Sequence, residues 1–167
     1  YGASIISRPS SLASDSSSEW SAWQHAVSYV QSEVSSFSTF VSLPPTAPCR
    51  SVSDVQKCIH SLNSDNDVVV SVSKANRHPS FNIVSASSSM DLSVFSPPTS
   101  SINRRQDASV LYDMTTVCYV STPQFIIKSD SMWDGRVTGV LIPKHRALDI
   151  DDHVDLAVAR FLFSNYS

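Results

Sequence analysis

Two pairs of like-charged residues are the best candidates for chemistry in this sequence. Asp151-Asp152 lies at the start of the last amphipathic segment, and Arg104-Arg105 lies in a polar loop upstream. Guanidinium groups match phosphate oxygens, so the arginine pair favours a polyanion, although an ordinary solvated loop would look the same. The aspartate pair could sense charge in an assembly, while helix capping is the simpler interpretation.

The acidic segment also has side chains that bind metals or take part in catalysis. It contains Asp149, Asp151, Asp152, His153 and Asp155. A hard cation needs several oxygens converging from different backbone positions, and the sequence has no nucleotide-binding or metalloprotease motif. We therefore predict no metal, no cofactor and no enzymatic activity, with an enzyme that uses Asp152 and His153 as an alternative.

Composition limits the possible functions. The 167 residues suit a single domain, and a net charge of −3 argues against a broad basic face, so any RNA contact must be a local patch. The chain has only three glycines, which counts against a glycine-rich phosphate loop. Cys49, Cys58 and Cys118 lack a Cys-x-x-Cys spacing and indicate reduced, buried thiols in an intracellular setting. No segment has the length of a membrane span.

Hydrophobic spacing predicts helices at both ends of a β-containing middle. Residues 1–19 are predicted to be a flexible Ser-rich arm, and residues 20–167 a single domain. Apolar residues at spacings of three and four predict a first helix from Trp20 to Val41. A second helix, capped by Ser51 or Ser53, would follow it in an antiparallel hairpin.

The middle of the chain and its last helix complete the prediction. The last helix would be capped by Asp149 or Asp151. The fold class is mainly α with a β-containing middle, and an α+β or β-rich domain is the alternative. Candidate strands lie at residues 67–73, 81–84, 117–120, 125–127 and 136–142, with 90–95 ambiguous.

Four short motifs occur in a fixed order along the chain. They are Ser21-Ala22-Trp23, Arg77-His78-Pro79 with Phe81, Asn103-Arg104, and Ile150-Asp151-Asp152 followed by Ala157-Val158-Ala159-Arg160. In this order they resemble the coat proteins of rod-shaped plant RNA viruses, the tobamovirus-like group. The sequence departs from that pattern in the long interval between the third and fourth motifs, and in ending soon after the last helix.

The resemblance implies a helical-bundle coat protein that self-assembles into a helical capsid around single-stranded RNA. Arg104, Arg105 and Arg160 would bind RNA, and Asp151 and Asp152 would form a carboxylate switch for assembly. The partners would be RNA and copies of the same chain, without a membrane or a small-molecule substrate. The protein would occur in the virion, and in the host cytoplasm during assembly. A β-rich capsid or capsid-accessory subunit and a small secreted toxin or effector are the alternatives.

Overall fold

The computed structural model describes residues 2–14, 17–97 and 108–166. Among the helices in these ranges, none is long and apolar enough to cross a membrane. Short 3-10 turns lie at Ser10–Leu12, Met132–Asp134 and Lys144–Arg146. The helices and strands are α1 (Glu19–Glu33), β1 (Phe40–Ser42), α2 (Val52–Ser61), β2 (Val68–Lys74), β3 (Val84–Ala86), β4 (Leu92–Val94), β5 (Tyr112–Ser121), α3 (Pro123–Lys128), β6 (Val137–Leu141) and α4 (His153–Tyr166).

A mixed four-stranded sheet forms the centre of the molecule, with strand order β1-β5-β2-β6. β2 and β6 are parallel, and β5 runs antiparallel to both β1 and β2. Strands β1, β2 and β6 therefore point the same way and end on one side of the sheet. We call that side, at Ser42, Lys74 and Leu141, the carboxyl edge.

Hydrophobic cores cover both faces of this sheet. On one face, Trp20, Trp23 and Val27 of α1 pack with Val68 and Val70 of β2. On the other face, α2 contributes Cys58 to a core with Val69, Val117, Val120 and Ile142. A strand buried on both faces is apolar at consecutive positions, which explains the continuous valine run of β2. The architecture is therefore α/β, and the predicted helical bundle is wrong.

The first predicted helix is too long, and the predicted helix pair does not form. α1 ends at Glu33, and Val41 lies in β1. The intervening residues are rich in serine, a poor helix former, so the apolar spacing continues without a helix. β1 separates α1 from α2 along the chain. The two helices pack in different cores, on opposite faces of the sheet.

The segment 125–127, a strand in the sequence prediction, lies in α3. The Thr122 side chain accepts a hydrogen bond from Phe125 N at 3.2 Å, and Pro123 occupies the first turn. Both are helix-start signals that favour a helix over an apolar strand.

Several predictions from the sequence are confirmed. α2 is capped by Ser51, one of the two predicted residues; its Oγ accepts from Asp54 N and its N donates to Asp54, which forms a capping box. β2 and β6 match the predicted strands at 67–73 and 136–142 closely, and 117–120 lies within β5. Cys58 and Cys118 are buried free thiols as predicted, whereas Cys49 is partly exposed. The division between an arm at 1–19 and a domain at 20–167 stays a prediction.

Gly135 is the position at which added volume should cost most. A Cβ there would lie 2.6 Å from two ring carbons of Phe125 and 2.8 Å from Cβ of Asp67. We expect Gly135→Ala to destabilise the fold by about 2 kcal/mol, because the ring and the backbone of a neighbouring segment must both move. Urea denaturation, monitored by circular dichroism, measures this change in the free energy of unfolding.

Gly139→Ala is the matched control, since its nearest neighbour would be Cγ2 of Val72 at 3.2 Å. Gly139→Ala should lower the free energy of unfolding by less than Gly135→Ala does. Equal losses of stability in the two variants would contradict the steric argument.

Candidate functional site

The loop after β1 lies at the carboxyl edge and is held in shape by Arg50. Nε of Arg50 donates to the carbonyl oxygen of Ala47 at 2.7 Å, and its guanidinium also donates to the carbonyl of Pro44. Burial lowers the pKa of Arg50, and a charge interaction with Cys118 opposes that shift. Arg50 therefore closes the proline-rich loop on itself and positions its backbone.

The segment after β6, residues 142–152, is fixed to two other parts of the same edge. Arg146 donates to both carboxylate oxygens of Asp54, at 2.7 and 3.0 Å, and so joins the segment to the start of α2. Farther along, Ile150 N donates to the carbonyl oxygen of Thr46 at 2.9 Å. Because β6 and β1 are the outer strands, the segment runs along the carboxyl edge from one side of the sheet toward the other.

The ion pair between Asp54 and Arg146 is the main electrostatic anchor of this region. Asp54 is fully buried, whereas the Arg146 side chain is 28% exposed. Burial alone would raise the pKa of Asp54, but hydrogen bonds from Arg146 and Ser51 outweigh it and hold the pKa below its ordinary value. The hydrogen bond to Asp54 in turn raises the pKa of Arg146. The pair is therefore ionised at neutral pH.

Between these two anchors lies Asp149, whose carboxylate has an unusual environment. Its Oδ1 is buried and accepts no hydrogen bond from any described residue. Burial raises the pKa of Tyr119, on the central strand β5, and the charges of Glu19 and Asp149 raise it further. A buried carboxylate oxygen without a donor requires a partner, and a bound cation or polar ligand would supply one.

The neighbouring aspartates have a structural role at the start of α4. Oδ1 of Asp152 accepts from Val154 N at 2.7 Å and from Asp155 N at 3.0 Å, so Asp152 is the capping residue. The prediction that Asp149 or Asp151 caps this helix is wrong. Asp155 completes the cap by accepting from the backbone of Asp151 and Asp152. Because Asp152 and Asp155 cap the helix, the carboxylate of Asp149 takes no part in capping it.

No group of three or more His, Cys, Asp or Glu side chains forms a ready metal site within residues 2–14, 17–97 and 108–166. Asp151 is exposed, and its carboxylate accepts no hydrogen bond from the described residues. Asp149 and Asp151 are therefore the two carboxylates at this edge that could contribute to holding a cation.

The predicted RNA-binding residues do not converge on this site. Arg104 and Arg105 lie outside the described residues, and Arg160 is exposed on α4. The individual roles of these arginines, and of Asp151 and Asp152 as a switch, stay predictions from the sequence. Sequence reasoning identified Asp149 only as one of several acidic residues and missed Arg50, Asp54 and Arg146. The capping box at Ser51 was visible in the sequence, but the distant arginine that completes it was not.

Comparisons with known proteins find similar bacterial sequences and a similar solved structure. No protein-family model matches the chain. It is 29% identical over 128 residues to post-translational flagellin modification protein B of Campylobacter coli, across 75% of this chain and 53% of that protein. It is 27% identical over 161 residues to an N-acylneuraminate cytidylyltransferase of Escherichia coli, across 95% of this chain and 37% of that protein.

A third relative and a solved structure agree with these two. The CMP-N,N'-diacetyllegionaminic acid synthase of Campylobacter jejuni is 30% identical over 91 residues, across 54% of this chain and 37% of that protein. A 4-diphosphocytidyl-2C-methyl-D-erythritol synthase from Anaerococcus prevotii superposes with a TM-score of 0.60 at 12% identity, across 90% of this chain and 68% of that chain, and shows a shared fold. The chain thus spans about half the length, or less, of its curated relatives.

These relatives overturn the functional predictions made from the sequence. They are bacterial proteins, two of them named as enzymes that make or transfer cytidylyl compounds, so a virion protein that is not an enzyme is the wrong identification. The β-rich capsid and secreted-toxin alternatives fit them no better. The predictions of an RNA partner, of no small-molecule substrate and of a virion location are wrong for the same reason. The chain is similar to a bacterial N-acylneuraminate cytidylyltransferase and shares the fold of a diphosphocytidyl synthase.

Proposed function

We propose that this protein is a cytidylyltransferase that transfers a cytidylyl group from CTP to a sugar acid of the kind named in its relatives, and that the carboxyl edge carries the reaction. The observation that carries the proposal is the buried oxygen of Asp149, which has no hydrogen-bond donor among the described residues. It lies in a segment that crosses the carboxyl edge of an α/β sheet. In open sheets of this kind, ligands bind in the crevice outside the carboxyl ends of the strands.

The chemistry of the proposed reaction explains why a carboxylate would be needed there. CTP carries a triphosphate, and nucleotidyl transfer builds up negative charge on its phosphate oxygens. A divalent cation neutralises that charge when it is bound, and Mg²⁺ takes carboxylate oxygens as ligands. The residues present fit such an ion, because Asp149 has a buried oxygen without a donor and Asp151 lies two positions on. These two residues would hold it.

Other residues of the site would act by positioning. Arg50 fixes the loop after β1 through two backbone carbonyls. The ion pair of Asp54 and Arg146 fixes the segment that carries Asp149 to the start of α2. A rigid support of this kind keeps a charged group in place while the reaction proceeds, which is how a preorganised site gains catalytic power.

The test is direct. The protein is incubated with CTP, an N-acylneuraminate and Mg²⁺, and the products are separated by anion-exchange chromatography while released pyrophosphate is measured enzymatically. We expect a CMP-linked sugar and one pyrophosphate for each molecule of product, and neither when a chelator is added. Absence of both CMP-linked product and Mg²⁺-dependent CTP binding would overturn the proposal.

A further inference from the structure

Three lysines from three different elements surround one cavity of about 610 Å³ near the end of β6. Lys57 comes from α2, Lys74 ends β2, and Lys144 begins the turn after β6. Leu141, Ile142 and Pro143 provide an apolar wall, and none of the described residues that line this cavity is acidic. Three lysines therefore line one cavity that has an apolar wall.

An adjoining cavity of about 550 Å³ extends this positive region. It shares Lys74 with the first cavity and adds Arg77, and its described lining also contains no carboxylate. We call the four cations Lys57, Lys74, Arg77 and Lys144 the cationic groove. The groove lies at the carboxyl edge, where Lys74 ends β2 and Leu141 ends β6, and Asp149 lines neither cavity.

No ion pair in the described part of the chain involves a cation of the groove. The two ion pairs found there join Arg136 to Asp67 and Arg146 to Asp54, and neither involves a cation of the groove. The protein as a whole has a net charge of −3, so this concentration of positive charge does not follow from composition. Like charges held together repel, and a cleft with apolar walls focuses their field on an incoming anion.

We infer that the cationic groove binds a small anion that carries a diphosphate group. The lysines come from separate elements around one space, so they suit a ligand whose charge is spread over several oxygens better than a single carboxylate. Lysine is a common ligand of phosphate, as a compact charge with three donors. Free pyrophosphate and the diphosphate part of a nucleotide share this chemistry. The inference does not depend on the proposed cytidylyl transfer.

Isothermal titration with inorganic pyrophosphate in the presence of a chelator tests the groove, since no divalent cation can then bridge the anion to a carboxylate. We expect binding that weakens as salt rises, and a Kd at least about tenfold higher in the triple variant Lys57→Gln, Lys74→Gln, Lys144→Gln. Lys128→Gln is the matched control, because Lys128 is an exposed lysine of α3 outside the groove. Failure of the unmodified protein to bind, or equal Kd values for the triple variant and the control, would overturn the inference.

A stability measurement and a second ligand complete the test. Circular dichroism should show the triple variant folded and no less stable than the unmodified protein, because neutral side chains remove mutual repulsion. Titration with adenosine diphosphate then distinguishes the ligands: binding that the triple variant loses indicates a nucleotide, and binding of pyrophosphate alone indicates the free anion.

Discussion

Replacement of Asp149 by asparagine is expected to lower kcat/KM for cytidylyl transfer by about 100-fold or more, while the fold stays intact. Asparagine has nearly the same shape as aspartate but carries no charge. Because Oδ1 of Asp149 accepts no hydrogen bond from a described residue, the substitution breaks no contact of that oxygen within the described part of the chain. A loss of activity would therefore come from the charge of Asp149 itself. Steady-state kinetics at several Mg²⁺ concentrations measure this loss of activity. The Mg²⁺ concentration that gives half of the maximal rate should be higher for the variant.

The same substitution at Asp152 provides the control. Asp152 caps α4 through the backbone of Val154 and Asp155, and asparagine is as good a capping residue as aspartate. We expect Asp152→Asn to change neither the free energy of unfolding nor kcat/KM by much. Equal activity losses in the two variants would show that general negative charge at this edge matters, and would remove the specific role of Asp149.

The contrast between these aspartates explains why the functional prediction from the sequence is wrong. Ile150-Asp151-Asp152 contributes to the resemblance to virus coat proteins, yet aspartates collect at helix starts in any family because they cap free N–H groups. A motif that includes a capping residue such as Asp152 is therefore weak evidence of ancestry. The residues at the site differ from their neighbours only in tertiary environment, which a single sequence does not contain.

The parts of the fold that local chemistry determines were predictable. The valine run of β2 and the Ser51 capping box of α2 were readable because each depends on residues close in sequence. The sheet order was not, because it depends on pairing between strands far apart, such as Val69 with Val120. The link between Asp54 and Arg146 spans 92 positions and likewise lies beyond sequence patterns.

The ion pair with Arg146 makes Asp54 the residue whose loss should most affect stability. We expect Asp54→Ala to lower the free energy of unfolding by about 3 kcal/mol, because it leaves the partly buried guanidinium of Arg146 without its partner and removes the carboxylate half of the capping box. Urea denaturation, followed by circular dichroism and extrapolated linearly to water, measures the change. The double variant Asp54→Leu, Arg146→Met should regain part of the loss, because it leaves neither charge unpaired.

Arg136 provides the comparison with an exposed ion pair. Its Nε lies 3.5 Å from Asp67, and the two side chains are 62% and 34% exposed. Solvent screens such a pair, so Arg136→Met should cost less than about 1 kcal/mol. If Asp54→Ala cost no more than Arg136→Met, the Asp54–Arg146 pair would not be the anchor of the segment that carries Asp149.

The pH dependence gives an independent check on the same pair. Hydrogen bonds from Arg146 and Ser51 hold the pKa of Asp54 below its ordinary value of 3.8 despite burial. A carboxyl whose pKa is lower in the folded state stabilises the fold fully above its unfolded pKa, and loses that contribution as the pH falls through the folded pKa. The difference in unfolding free energy between the unmodified protein and Asp54→Ala should therefore be constant above about pH 5 and shrink below about pH 4. A difference that instead grew on acidification would mean that Asp54 is protonated in the native state, and that Arg146 is held by another contact.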